Sequence, residues 1–186
     1  ICATSAMREA SNSQEIVTRI QKILDMKINI IDGAREAELI NDVVVQSLHP
    51  TKNYLHIDVG GGSTEITLFQ GGQVVFSKSF KVGTLRLIHS PLDKTEWDKM
   101  KQFLKSDVAP GDVVIVGSGG NINKVHKLLS EHDADSISYK DMHELSAKLT
   151  SITIEERMSE YKLKPDRADV IVPALEIYMY VLNELS

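Results

Sequence analysis

Tyr54-Leu-His-Ile-Asp58-Val-Gly60-Gly61-Gly62-Ser63-Thr64-Glu65-Ile-Thr-Leu-Phe69 reads as one strand, a glycine turn and a second strand. The first strand ends on a carboxylate, Asp58, and Glu65 returns a second one as the next strand begins. Between them Gly60, Gly61 and Gly62 carry no side chains, so a bulky anion can lie directly against backbone N–H groups. Ser63 and Thr64 add hydroxyl donors. An anion cradle flanked by two acids suits a phosphate chain held together with a divalent metal ion.

Outward from this segment the pattern alternates. Upstream, Ile1–Thr4 reads as the tail of a strand. Ser11-Asn-Ser13 caps a helix over roughly 13–25, with Ile16, Ile20, Ile23 and Leu24 on one face. A short β-branched strand at 27–31 ends at Asp32-Gly33, and a helix over about 34–48 stops at Pro50. Downstream, strands at 64–69 and 73–82 are joined by Gln70-Gly-Gly-Gln73, a hairpin signal. Helices over 84–89 and 95–106 lead to a strand at 113–116. A second glycine turn, Gly117-Ser118-Gly119-Gly120, opens a helix over about 120–130. The tail reads as helices over 141–149, 154–159 and 166–184, the last with Pro173 inside it.

This order, β-β-β-α-β-α, predicts an α/β fold with a mixed sheet and helices packed on it. It matches a ribonuclease-H-like half-domain lacking its last strand and helix, over residues 50–186. Residues 1–49 read as the C-terminal part of a similar, first half-domain.

Composition bounds the function. Hydrophobic content of 42% and charged content of 25% are those of a soluble globular protein. No run of apolar residues is long enough for a transmembrane helix, so no membrane partner is expected. The single cysteine, Cys2, excludes an internal disulfide, is expected to be buried, and points to a reducing, cytoplasmic setting. A net charge of −5 argues against a nucleic-acid partner held by counterion release. It also means that metal ions and local basic residues must supply the attraction for a polyanion. The six histidines, His49, His56, His89, His126, His132 and His143, show no metal-ligand spacing. The start at Ile1, without an initiator methionine, reads as a cut end.

Five blocks together carry a family resemblance. They are Ala3-Thr-Ser-Ala-Met-Arg8-Glu-Ala10, Ile31-Asp-Gly-Ala-Arg-Glu36-Ala-Glu-Leu-Ile40, Ile57-Asp-Val-Gly-Gly-Gly-Ser-Thr-Glu65, Val116-Gly-Ser-Gly-Gly120 and Val172-Pro-Ala-Leu175. In this order they resemble the exopolyphosphatase and guanosine pentaphosphate phosphohydrolase family of the actin-like ATPase superfamily. Asp32 stands where that family usually has Ser. The family's N-terminal Asp-x-Gly-Ser-Asn phosphate loop and C-terminal Asp-Gly-x-x-Glu-Gly segment are absent from these residues. The chain therefore reads as a piece centred on the second half-domain, and the piece alone is expected to be nearly inactive.

The resemblance implies hydrolysis of a phosphoanhydride, with polyphosphate or guanosine pentaphosphate as substrate and Mg2+ (or Mn2+) as cofactor. Glu36 falls at the position of the family's catalytic Glu, 22 residues before Asp58; read alone it is a helix carboxylate like many others. Asp58 and Glu65 are the candidate metal ligands, though an Asp ending a strand can also cap a turn. Gly60, Gly61, Gly62 and Ser63 are candidate phosphate donors. Arg8, Gly117, Ser118 and Gly119 are further phosphate candidates, against a surface ion pair for Arg8 and close helix–strand packing for the 117–120 turn. Lys78, Lys81 and Arg86 read as a solvated face or as guides for a polyanion. A missing final strand leaves an open sheet edge, so homodimer formation is expected. A phosphate-chain sensor and an acetate-kinase-like or sugar-kinase-like phosphotransferase are the alternatives.

Overall fold

In the computed structural model residues 1–46, 48–90, 93–108, 113–129 and 136–185 are described. Four strands form the main sheet: β3 (Asn53–Val59), β4 (Thr64–Gln70), β5 (Gln73–Phe80) and β6 (Val113–Ser118), ordered β5-β4-β3-β6. The β3–β4 and β4–β5 pairs are antiparallel, and β6 lies parallel to β3. This is the mixed α/β sheet that the strand order predicts. The β4–β5 hairpin turns on Gly71 and Gly72, at φ 59° and 75°, a conformation open to glycine at little cost.

Alternation along β3 and β4 divides the sheet into two unlike faces. Leu55, Ile57, Ile66 and Leu68 point to one side, where they join the apolar core. Helix α10 (Ile171–Leu185) contributes much of that core through Ile171, Leu175, Ile177, Tyr178 and Val181. Helices α4 (Thr84–His89), α5 (Lys94–Asp107), α6 (Gly120–Leu129) and α7 (Tyr139–Thr150) pack against α10. The Tyr178 hydroxyl lies 3.1 Å and 3.0 Å from the carbonyls of Ile57 and Ser118, tying α10 to the C-terminal ends of β3 and β6. Burial pushes the phenol's pKa up, so it stays a donor.

The opposite face is polar. His56, Asp58, Glu65 and Thr67 point there, and α3 (Gly33–Val45) lies against β4 and β5. The N-terminal segment carries β1 (Cys2–Ala3), α1 (Ser5–Glu9), α2 (Ser13–Leu24) and β2 (Asn29–Ile30); β1 and β2 pair in parallel. This pairing brings Thr4 and Arg8 up to the start of α3, although more than twenty residues of chain separate them.

Four local expectations change. The strand predicted over 73–82 ends at Phe80, because the chain leaves the sheet to lay Gly83 against the glycine loop. The tail helix predicted over 166–184 is two helices, α9 (Pro165–Ala168) and α10, with α8 (Ile154–Glu160) before them. Pro173 falls in the first turn of α10, where its missing N–H has no intrahelical partner to lose. Cys2 is exposed rather than buried, since β1 has only β2 beside it. The short α1 was not foreseen. Residue 130, predicted as a helix end, and His132 lie outside the described residues.

Candidate functional site

Parallel and antiparallel registers place one row of side chains across the sheet: Ser118, Asp58, Glu65 and Ser79. All four lie at or one residue from a strand end beside the glycine loop. The Ser79 hydroxyl donates to Glu65 Oε1 at 2.8 Å. Glu65 is 5% exposed, and burial pushes its carboxyl above the ordinary range. Ser63 and Ser79 pull the other way, while Glu36 and Asp58 add to the upward shift.

Glu36 comes to the same place from a different part of the chain. It sits in the first turn of α3, whose start is capped by Asp32: the Asp32 side chain accepts from Arg35 N at 2.8 Å. Asp and Ser cap about equally well, which accounts for the departure from the family's Ser. Burial raises the Glu36 pKa and the Asp58 charge raises it further, whereas Thr4 and Arg8 lower it. Arg8 Nη1 lies 4.0 Å from Glu36 Oε2 and donates to the Ile31 carbonyl at 2.5 Å. Glu36 Oε2 is buried with no hydrogen-bond partner. Glu36 thus feels the charge of Asp58, and Glu65 that of both, with the three carboxylates coming from three elements.

The glycine loop is built from its carbonyls outward. Gly60 O accepts from Thr84 N at 3.0 Å, and Gly61 O from Leu85 N at 2.9 Å and Arg86 N at 3.3 Å. Gly62 O accepts from Arg86 Nε at 2.6 Å. A trans peptide points its N–H opposite to its C=O, and no peptide bond in the described chain is cis. The amides of Gly61, Gly62 and Ser63 therefore point away from α4. Among the described residues they donate to no protein acceptor. Gly60 differs: its N–H donates to Ser63 O at 2.9 Å, closing the loop, so its contribution is to shape.

The second glycine turn divides in function. At Gly117 a Cβ would meet Ile122 Cγ1 at 2.9 Å and Tyr178 Cε1 at 3.2 Å, the close packing that sequence reading weighed against phosphate contact. Gly119, at φ 98°, lies directly behind Asp58, where a Cβ would come within 2.9 Å of Oδ1. At the start of α6 stands a guanidinium: Arg167 packs on Gly120 and donates to Asn121 Oδ1 at 2.6 Å.

Among the described residues no three His, Cys, Asp or Glu side chains are arranged as a protein cage for a metal. Mg2+ does not need one, because it keeps several waters and takes substrate phosphate oxygens beside one or two carboxylates. Asp58 and Glu65 fit that donor set. The mutual repulsion of three acids and the orphaned Glu36 oxygen fit a cation-balanced site as well.

Sequence reading did not find the roles of Ser79, Thr4 or Arg86. Lys78 lies over the rings of Phe80 and Phe103, 5.6 Å and 5.5 Å from their centroids. The Lys81 backbone N–H bonds Glu96 at 3.0 Å. Such contacts need the paired strands and could not be drawn from spacing.

The sequence model of the Ppx/GppA phosphatase family matches residues 1–186. An exopolyphosphatase-like protein of known structure is 27% identical, with TM-score 0.78 over 100% of this chain and 66% of its own. An exopolyphosphatase from Cytophaga hutchinsonii is also 27% identical, with TM-score 0.74 over 100% of this chain and 67% of its own. The Aquifex aeolicus Ppx/GppA family member shares the fold at 24% identity and TM-score 0.74, over 99% of this chain and 66% of its own. The chain thus spans about two thirds of the length of the structures it matches.

Proposed function

Because the chain belongs to the Ppx/GppA phosphatase family, we propose that it serves a metal-dependent phosphohydrolase acting on phosphoanhydrides. The reaction is release of terminal phosphate from linear polyphosphate, or from guanosine pentaphosphate, by direct attack of water. One observation carries the reading: Glu36, Asp58 and Glu65 converge beside a loop whose amides at 61–63 have no protein acceptor among the described residues.

The loop amides, that of Ser63 included, grip the phosphate oxygens, replacing water with fixed donors, while the Ser63 hydroxyl serves Glu65. Glu36 holds the attacking water and takes its proton. Its raised pKa makes it a stronger base than an exposed carboxylate, which suits work near neutral pH. Arg8 lies close enough to Glu36 to face the same phosphoryl group. Asp58 and Glu65 hold Mg2+ (or Mn2+), which when bound neutralises charge on the phosphate chain. Gly119 leaves room for the Asp58 carboxylate. Gly117 and Ser118 support the site by seating β6 against Tyr178. His56 is buried within the sheet and Cys2 stands exposed on β1, so neither is presented to the loop as a nucleophile.

The 186 residues contain no Asp-x-Gly-Ser-Asn loop, so turnover by them alone is expected to be slow beside that of a protein carrying both loops. The setting proposed is cytoplasmic, on the single cysteine of these residues, and the partner proposed is a second copy of the chain, as a homodimer.

The test is phosphate release from polyphosphate, guanosine pentaphosphate and ATP with Mg2+, by protein carrying both loops and by its Glu36→Gln variant. Release from either of the first two, abolished by the substitution, supports hydrolysis. Tight binding without release would replace it with a sensor. Phosphate transfer from ATP to an acceptor would replace it with a kinase.

A further inference from the structure

Arg86 touches the glycine loop, yet nothing in the proposed chemistry uses it. Its Nε donates to the Gly62 carbonyl at 2.6 Å, and its Nη2 pairs with Glu9 of α1, 77 residues away in sequence. The other loop carbonyls, Gly60 and Gly61, are held by backbone amides of Thr84, Leu85 and Arg86. Of the three outward-facing peptides, only Gly62–Ser63 is therefore oriented by a side chain. The loop also lies close to α1: a Cβ on Gly62 would meet Ser5 Oγ at 2.8 Å.

We infer that Arg86 is a positioning residue for phosphate binding, holding the Gly62–Ser63 peptide so that the Ser63 N–H faces the anion. Glu9 fixes the far end of the guanidinium. The inference rests on the phosphate-site reading of the loop. Arg86 acts through the direction of one carbonyl; its charge is answered by Glu9 and is turned away from the outward-facing amides.

Two substitutions separate direction from charge. In Arg86→Gln the Nε2 donor sits the same number of bonds from Cα as the arginine Nε, without the charge. Arg86→Lys keeps the charge and has a methylene at that position. The measurement is titration of the 186-residue chain with inorganic tripolyphosphate and Mg2+, followed by the 15N–1H signals of Gly61, Gly62 and Ser63. In the wild type all three move. Arg86→Ala loses the Ser63 response, keeps those of Gly61 and Gly62, and weakens binding about 10-fold, the scale of one hydrogen bond to an anion. Arg86→Gln keeps the Ser63 response and binds within about 3-fold of wild type, at most about 0.7 kcal/mol; Arg86→Lys behaves like the alanine variant.

Wild-type-like binding by Arg86→Lys with loss in Arg86→Gln would overturn the inference in favour of a simple charge effect. Equal responses in Arg86→Ala and wild type would overturn it outright. If the wild-type loop amides do not move at all, the phosphate-site reading fails and the inference goes with it. That failure is visible in the wild type, before any variant is made.

Discussion

At Glu65 two demands act on a single carboxyl. Burial favours the neutral acid, while hydroxyls of Ser63 and Ser79 favour the carboxylate. Burial dominates, so the folded protein keeps this proton to higher pH than the unfolded chain does. Stability then falls as pH rises from the ordinary carboxylate pKa to the raised one, since the unfolded chain binds fewer protons in that window. Glu65→Gln removes the dependence and keeps an oxygen for Ser79. The variant is expected to melt higher than wild type at neutral pH, about 2–4 °C if the relief is ~1 kcal/mol, and to coincide with it in acid below the window. Thermal melts at the two pH values check this. A lower melting temperature at neutral pH would mean that the hydroxyl donors outweigh burial.

At the scale of elements, the unit that matters is β3, the glycine loop and α4 taken together. Gly83 makes that unit possible: a Cβ there would lie 2.5 Å from Gly61 O and 2.6 Å from Gly62 C, both backbone atoms. Gly83→Ala is expected to cost about 1–3 kcal/mol as overpacking and to abolish the tripolyphosphate response of the loop. Gly71→Ala is the control. Its Cβ meets nothing within 4 Å, and at φ 59° it costs about 1–2 kcal/mol while leaving the loop alone. Chemical denaturation and the same titration read both effects.

The elements were legible because their signals are local. Strand alternation and the Gly71-Gly72 turn each act within a few residues, whereas the Ser11–Ser13 stretch read as a cap makes no side-chain capping bond, and the caps at Asp32 and Ser138 emerge only in the structure. The loop's donors were legible as a glycine run, but their direction was not, because it is set by α4 more than twenty residues downstream. Likewise Glu36 was found through a matching block, whereas its burial and its Thr4 and Arg8 neighbours depend on β1 pairing with β2. Pro173 misled for a physical reason: a proline reads as helix interior or helix start only once the boundary is known.

On the scale of this chain, among the described residues β6 pairs only with β3. Val114 and Ile115 on it are 43% and 37% exposed, and a groove beside them is lined by Ile122, Met142, Tyr178 and Leu182. An exposed apolar edge invites strand pairing with another chain. The chain is expected to self-associate with rising concentration, and Val114→Lys with Ile115→Lys to reduce it, as measured by light scattering after gel filtration. Unchanged association would place the contact elsewhere. Among the described residues no helix is long and apolar enough to cross a membrane.

The central claim concerns water activation by Glu36 at this loop. It is tested most directly by the pH dependence of Mg2+-dependent phosphate release from polyphosphate, for wild type and Glu36→Gln, in protein carrying both loops. The account predicts that wild-type kcat rises with pH through a pKa above the ordinary carboxylate range, since burial and Asp58 hold the Glu36 proton. In Glu36→Gln that limb disappears and kcat falls by about 10²–10⁴, with little change in KM. A Glu36→Gln variant that keeps both the wild-type rate and the acid limb would contradict it.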